Sequence, residues 1–360
     1  MIRNRLLCLI CAFLFFGVFA GFSKKAYEAY PKVPIVYADQ YNIGFWGLER
    51  LHPFDSAKYG KVVNAVCKKY GIVKEHFVKP SMVTDKELEL VHTKEYLASL
   101  KKNSVIAEIV EVVPLYFLPD WFGWCNSLLQ KYLLDPMRLA TGGTLVAAQL
   151  ALKNGKAAIN LSGGYHHAKA YEGDGFCVFA DVPYAAYKLW KKNPKLKIMV
   201  VDLDAHHGNG NADIFRNEKR AAIFDVYSWP NYPQYDNETK QYVKYGYPVQ
   251  CNIGSEKCGV RDQEYLAVID KLKDAIAEFE PGLIFYNAGT DILEGDTVGR
   301  MNISKEGVVI RDEKVFAIAR ELGVPVCMVT SGGYTKASAD VIAASVTNLV
   351  DKGYIDMIRL

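Results

Sequence analysis

The chain has 360 residues, a formal charge of +3, 23% charged residues and 50% hydrophobic ones. That excludes a disordered chain, which would be poorer in apolar residues and richer in net charge, and a disulfide-stapled scaffold, for which eight cysteines in 360 residues is sparse. One long apolar run instead of several excludes a polytopic membrane protein, and without a charge excess or a long Lys/Arg cluster no nucleic-acid partner is expected.

The apolar run comes first. Residues 1–25 are MIRNRLLCLICAFLFFGVFAGFSKK, with Arg3 and Arg5 ahead of an unbroken apolar stretch of 17 residues from Leu6 to Phe22. Val18-Phe19-Ala20 puts short side chains at the −3 and −1 positions of a cut after Ala20. The grammar is that of a signal peptide or N-terminal membrane anchor over residues 1–23, with a buried hydrophobic helix as the third reading. A working segment makes the protein exported or membrane-anchored, with membrane association through residues 6–22; a silent one leaves it cytoplasmic. Cys8 and Cys11 have CxxC spacing, but inside this run they read as small hydrophobes.

From about residue 33 short β-rich runs alternate with helical patterns. The strand candidates are Pro34–Ala38, Ala157–Leu161, Lys197–Val201, Ala221–Val226, Leu283–Tyr286 and Val324–Thr330. They carry Val, Ile and Phe on both faces, as fully buried parallel strands do. Helical patterns run over Met137–Lys153, Asp262–Phe279, Lys305–Leu322 and Ala337–Val350. The second places Tyr265, Ile269, Leu272, Ile276 and Phe279 on one face and is stopped by Pro281; the third has Ser304 as N-cap and Gly323 as stop. This alternation predicts an α/β fold of three layers, αβα, around a mainly parallel central sheet. No linker or repeat interrupts it, so residues 24–360 are expected to form one domain.

In such a sheet ligands bind at the carboxyl ends of the strands. Those ends carry Ser162-Gly163-Gly164-Tyr165-His166-His167, then Asp202-Leu203-Asp204-Ala205-His206-His207-Gly208-Asn209-Gly210, then Asn287-Ala288-Gly289-Thr290-Asp291, then Ser331-Gly332-Gly333-Tyr334. Asp204, His206 and Asp291 form a set of three N/O ligands, the pattern of a catalytic zinc with an open position. Such a metal polarises a carbonyl and acidifies water. His166 and His167 can supply the base for that water and the acid for the leaving group. Asp202 is placed to orient them, and Tyr334 to donate its hydroxyl to the developing oxyanion. The assembly predicts metal-assisted hydrolysis of an amide. Singly, an Asp-x-His, a His-His pair or a Gly-Gly-Tyr is an ordinary turn; together, after four predicted strands, they are chemically complementary.

At this point the sequence resembles the zinc-dependent histone deacetylase family, most closely its class IV branch. The matching stretches are TGGT (141–144), GGYHHA (163–168), GDGFC (173–177), VDLDAHHGNG (201–210), DVY (225–227), YNAGTDILEGD (286–296), TSGGY (330–334) and the segment 34–62. The resemblance implies the arginase/deacetylase fold, one zinc ion, and hydrolysis of lysine side-chain amides carrying acetyl or longer fatty acyl groups. It implies that Asp204, His206 and Asp291 hold the zinc. His166 and His167 become the acid/base pair and Tyr334 the carbonyl-polarising tyrosine. Phe176 and Tyr232 would wall the tunnel for the lysine stem, Gly175 would offer its carbonyl to the substrate, and His52 would lie near the pocket. Asp202 would support His166 and face potassium, a second candidate cofactor.

The chain also departs from the wider family. Asn209 stands where class I relatives support the second histidine with Asp, as class IV relatives also have it; an amide raises that histidine's pKa less than a carboxylate would. His207 stands where many class IV proteins have Gln. Pro114–Pro136, with Tyr116, Phe117, Trp121, Phe122 and Trp124, is either sheet packing or a hydrophobic rim for an acyl chain or a membrane. A two-metal ureohydrolase on this fold would need carboxylates at Gly208 and Leu293. An acetylpolyamine amidohydrolase acting on a small acylated amine, and a non-catalytic binding protein, remain as alternatives to an acyl-lysine protein substrate. Cys67, Cys125, Cys177, Cys251, Cys258 and Cys327 show no metal spacing, and Cys251 and Cys258 are expected as core thiols.

Overall fold

A computed structural model describes residues 32–44, 47, 49, 53–121, 123–233, 235–251 and 259–357. The predicted signal or anchor, Phe122, Cys258 and His52 lie outside the described residues. Among the described residues no helix is long and apolar enough to cross a membrane.

The described strands are β1 (Val33–Val36), β2 (Phe77–Val78), β3 (Ala157–Asn160), β4 (Ile198–Asp202), β5 (Ala221–Trp229), β6 (Tyr245–Gln250), β7 (Leu283–Asn287) and β8 (Val326–Val329). They form one sheet in the order β2-β1-β3-β8-β7-β4-β5-β6, and every pairing is parallel. The six predicted strands are all present. Two were not predicted, for identifiable reasons. β2 is too short to show a pattern, and β6 contains Gly246 and Pro248 and buries only Val249, as an edge strand does.

The flanking helices are, in chain order, α1 (Lys58–Tyr70), α2 (Asp135–Asn154), α3 (Asp181–Lys192), α4 (Asn209–Phe215), α5 (Asp262–Asp270), α6 (Leu272–Phe279), α7 (Lys305–Glu321) and α8 (Ser338–Asp351). Strand residues alternate between two cores, as the period of two demands. Met199, Val201, Phe224, Ile284 and Tyr286 face the core under α1, α5, α6, α7 and α8. Ile198, Val200, Ile223, Leu283 and Phe285 face the core under α2, α3 and α4. Full burial on both faces explains why the strands read as continuous apolar runs. Ser304 caps α7 as expected, its Oγ accepting the Gly307 N–H at 2.9 Å. The single helix expected over Asp262–Phe279 is two: at Lys271 the backbone tightens to φ −66°, ψ −16°, and its N–H bonds back three residues to Val268.

A smaller third core lies under the segment between α1 and α3. Leu115, Leu129, Leu133 and Leu134 pack into it. Val113, Tyr116, Phe117, Trp121 and Trp124 of the same segment stay exposed, Phe117 at 80%. The leucines of Pro114–Pro136 are therefore packed, but in this third core, which contains no strand residue, and not against the sheet, while the four aromatic residues stay exposed.

The register sets the level of the site. Asn160, Val329, Asn287, Asp202 and Asp225 lie in one row across β3, β8, β7, β4 and β5. Four adjacent strands of that row, β3, β8, β7 and β4, send the four chemically rich loops off the same edge.

Candidate active site

The loops after β4 and β7 bring the metal-ligand set together. Asp204, His206 and Asp291 are buried, and their candidate ligand atoms all lie within 4.8 Å of one another. His206 Nδ1 is 3.0 Å from Asp204 Oδ1 and 3.0 Å from Asp291 Oδ2. The spare oxygens are taken: Asp291 Oδ1 accepts the Ala205 N–H at 2.9 Å, and Asp204 Oδ2 accepts the Ser331 hydroxyl and the Gly332 N–H, each at 3.0 Å. Gly332 is required there, because a Cβ would stand 2.5 Å from Asp204 Oδ2 and 2.6 Å from Asp291 Oδ2. Burial, and then the charge of Asp204, push the Asp291 carboxyl up. Two buried carboxylates sharing one imidazole are a donor set that a divalent cation fits, since the cation removes that repulsion.

The loop after β3 places the two histidines beside this set, their rings 4.1 Å apart. His166 Nδ1 is 2.9 Å from Asp202 Oδ2, and its Nε2 is 3.6 Å from Asp204 Oδ1. The Asn287 amide donates to Asp202 Oδ1 at 2.9 Å and fixes that carboxylate. His167 Nδ1 instead meets Asn209 Oδ1 at 2.7 Å. The two environments separate the two imidazoles. Burial disfavours the charged His166, but Asp202 and Asp204 outweigh it and lift its pKa to about 9. Burial and the neighbouring His166 and His206 push His167 well below its ordinary value. Tyr334 stands on the far side, its ring 6.2 Å from that of His206. Burial and the carboxylates Asp291 and Asp204 push its phenol well up, so it keeps the proton it would donate.

Residues 52–350 match the family described as the histone deacetylase domain. The chain belongs to the histone deacetylase family. Histone deacetylase 2 of Arabidopsis thaliana is 41% identical over 325 residues, which cover 90% of this chain and 80% of that protein. Polyamine deacetylase HDAC10 of Mus musculus is 30% identical over 269 residues, covering 70% of this chain and 38% of that protein. Among solved structures, the HDA15 HD domain has the same fold, with a TM-score of 0.68 at 18% identity over 89% of both chains.

In this member of the family the residues expected to wall a tunnel come together. Phe176 and Gly175 line an inner pocket with His166, His167, Asp204 and Tyr334, and Tyr232 joins them at the mouth. The Tyr232 ring stands 5.1 Å from His167 and its hydroxyl donates to Asp174. Gly175 turns at φ +50°, and a Cβ there would meet His167 Cδ2 at 2.8 Å. Phe176 is itself left-handed at φ +64°, a conformation pinned by its N–H donating to Ile109 O at 2.8 Å.

The structure adds residues that motif reasoning missed. Phe54 completes the wall, 5.2 Å from Phe176 and 6.0 Å from Tyr334. Lys58, fully buried on α1, donates to Ser331 O at 2.7 Å and Gly332 O at 3.1 Å, and burial pulls its pKa down to about 8. Asp296 accepts from the Tyr334 N–H at 2.8 Å, and from those of Val298 and Gly299 at 3.0 Å. Glu111 lines the mouth. Asp296 closes the matched YNAGTDILEGD stretch, and Phe54 and Lys58 lie in the matched segment 34–62, so all three were within reach of the sequence; Glu111 comes from a segment with no motif of its own.

Proposed function

We propose that the protein is a zinc-dependent amidase that removes acetyl or longer fatty acyl groups from lysine side chains. The observation that carries this is the convergence of three donor residues, two differently supported histidines and a protonated tyrosine on one aromatic-walled tunnel. The tunnel admits the lysine stem between Phe176, Phe54 and Tyr232, and the Gly175 carbonyl accepts from the substrate amide. A zinc ion held by Asp204, His206 and Asp291 would polarise the acyl carbonyl and acidify a water. His167, neutral, takes a proton from the attacking water, while His166, kept charged by Asp202, stabilises the negative charge. Tyr334 donates its hydroxyl to the carbonyl oxygen as that charge develops. The proton returns to the leaving nitrogen from this histidine pair, so acid and amine are released in balance. Asp202 and Asn209 position the histidines without touching substrate.

Potassium is the second proposed cofactor. Asp225 neighbours Asp202 across β5 and β4, and its Oδ1 is buried without a hydrogen-bond partner, as is Ser228 Oγ. A bound potassium ion would satisfy such oxygens.

A small acylated amine is the second substrate reading, favoured by the exposed Glu111, whose carboxyl at the mouth could pair with a cationic amine. We also propose that residues 1–23 export or anchor the protein, which N-terminal sequencing of the protein from its natural source tests.

The deciding experiment couples metal analysis to a panel of acetyl- and myristoyl-lysine peptides and an acetylated polyamine. About one zinc per chain and a chelator-sensitive amidase are expected. Tyr334→Phe should keep the metal and lose roughly 100-fold or more in kcat. Less than one tightly held metal with no amidase activity, or full activity in Tyr334→Phe, sinks the reading.

A further inference from the structure

The carboxylate missing beside His167 is present one residue further out. Asn209 Oδ1 meets His167 Nδ1 at 2.7 Å, and Asn209 Nδ2 donates to Asp236 Oδ2 at 3.1 Å. Asp236 belongs to the loop that also carries Tyr232, and its Oδ1 accepts the Thr239 N–H at 3.1 Å. That loop is tied to the site a second time, because Thr239 Oγ1 lies 3.0 Å from His207 Nε2 and His207 Nδ1 lies 2.6 Å from Asp225 Oδ2. His167 and Asn209 are both buried, at 4% and 2% exposure.

The chain of contacts has a direction. An ionised carboxylate only accepts hydrogen bonds. Asp236 is kept ionised: its burial is outweighed by the Thr239 N–H and the Asn209 amide, with Lys169 Nζ 3.9 Å away. Asn209 must therefore turn its NH2 toward Asp236 and its oxygen toward His167. An oxygen facing His167 Nδ1 requires that nitrogen to carry the proton. The Nε2 lone pair is then left for the reaction.

We propose that Asp236 is a positioning residue that, through Asn209, fixes His167 as the Nδ1-protonated tautomer. This rests on the amidase reading for its catalytic consequence and on geometry alone for the tautomer. Asp236→Asn is the informative change. An Asn still caps Thr239 with its oxygen, but it presents an NH2 to Asn209. The Asn209 amide can then flip, turn its own NH2 to His167 and favour the wrong tautomer.

The expected outcome for Asp236→Asn is an unchanged melting temperature, KM within about twofold, and kcat lower by roughly 100-fold, as for loss of a working general base. The double variant Asn209→Asp with Asp236→Asn puts a carboxylate directly on His167 and should recover kcat to within about fivefold of wild type. Independently of activity, 15N spectra of histidine-labelled protein, assigned by the His167→Gln variant, should show His167 protonated at Nδ1 in wild type and at Nε2 in Asp236→Asn. If Asp236→Asn does not fold, Asp236→Ser, which retains a cap without the carboxylate, is judged by the same criteria. A kcat within about threefold of wild type, a double variant no better than the single one, or an unmoved tautomer overturns the proposal. If wild type cleaves no acyl-amine, the amidase reading fails while the spectra still decide the relay.

Discussion

Asp204 and Asp291 are packed against glycine on one side and an imidazole on the other, so the metal-ligand set has no room to relax. Gly332→Ala would push a methyl group to 2.5 Å from Asp204 Oδ2 and 2.6 Å from Asp291 Oδ2. The expected result is a folded protein whose zinc affinity falls by about tenfold or more, read by competition with a chromogenic chelator. Wild-type affinity in that variant would show that the carboxylates can move aside. At this scale the sequence was informative wherever a side chain that the structure brings into the candidate site sits within a few residues of a strand end, as His166, Asp204, His206, Asp291 and Tyr334 do. It placed Lys58 in a matched segment but was silent on its contact, since Lys58 reaches the Tyr334 turn from a helix 273 residues away in sequence from Ser331. It was equally silent on Asp236, embedded in a polar loop where an acidic residue is unremarkable. A group whose partner is remote carries no local signature, whatever its importance.

Short connecting elements hold the tunnel in shape, and one of them is tied by a histidine. His92 is buried, and its Nε2 accepts the Ala180 N–H at 3.0 Å, at the end of the loop that presents Gly175 and Phe176. Accepting that bond requires a neutral ring, and burial pulls the His92 pKa down to about 4. Between pH 6.5 and 4 the unfolded chain therefore binds a proton that the folded chain does not. Stability falls as pH drops through that window, by up to about 3 kcal/mol. His92→Gln offers an amide oxygen to the same N–H and does not titrate. Denaturant unfolding at pH 7 and pH 4.5 should show a smaller acid loss for the variant than for wild type; equal losses would rule out His92 as the source. The strands were legible because burial on both faces gives an unmistakable apolar run, whereas β6 was hidden by its edge position and its proline. The break at Lys271 was invisible because the apolar spacing continues through it.

Among the described residues the sheet begins at Val33. From the signal-like sequence of residues 1–23, we propose that residues 24–360 fold alone, with the melting temperature and kcat of the full chain. A fragment that aggregates or loses activity in detergent-free buffer would mean that residues 1–23 are part of the folded body. The three-layer architecture was readable from strand–helix alternation; the order of the strands was not, since it depends on which edge each crossover returns to. That order has a temporal consequence. β3 lies beside β8, and Ala157 pairs with Val326, so the two central neighbours are separated by nearly half of the polypeptide. During synthesis the histidine pair emerges long before Tyr334, and β3 is joined to β7 and β4 in the sheet only once β8 stands between them. A chain that stops short of β8 therefore lacks Tyr334 and also the strand that joins the histidine loop to the loops carrying Asp204, His206 and Asp291.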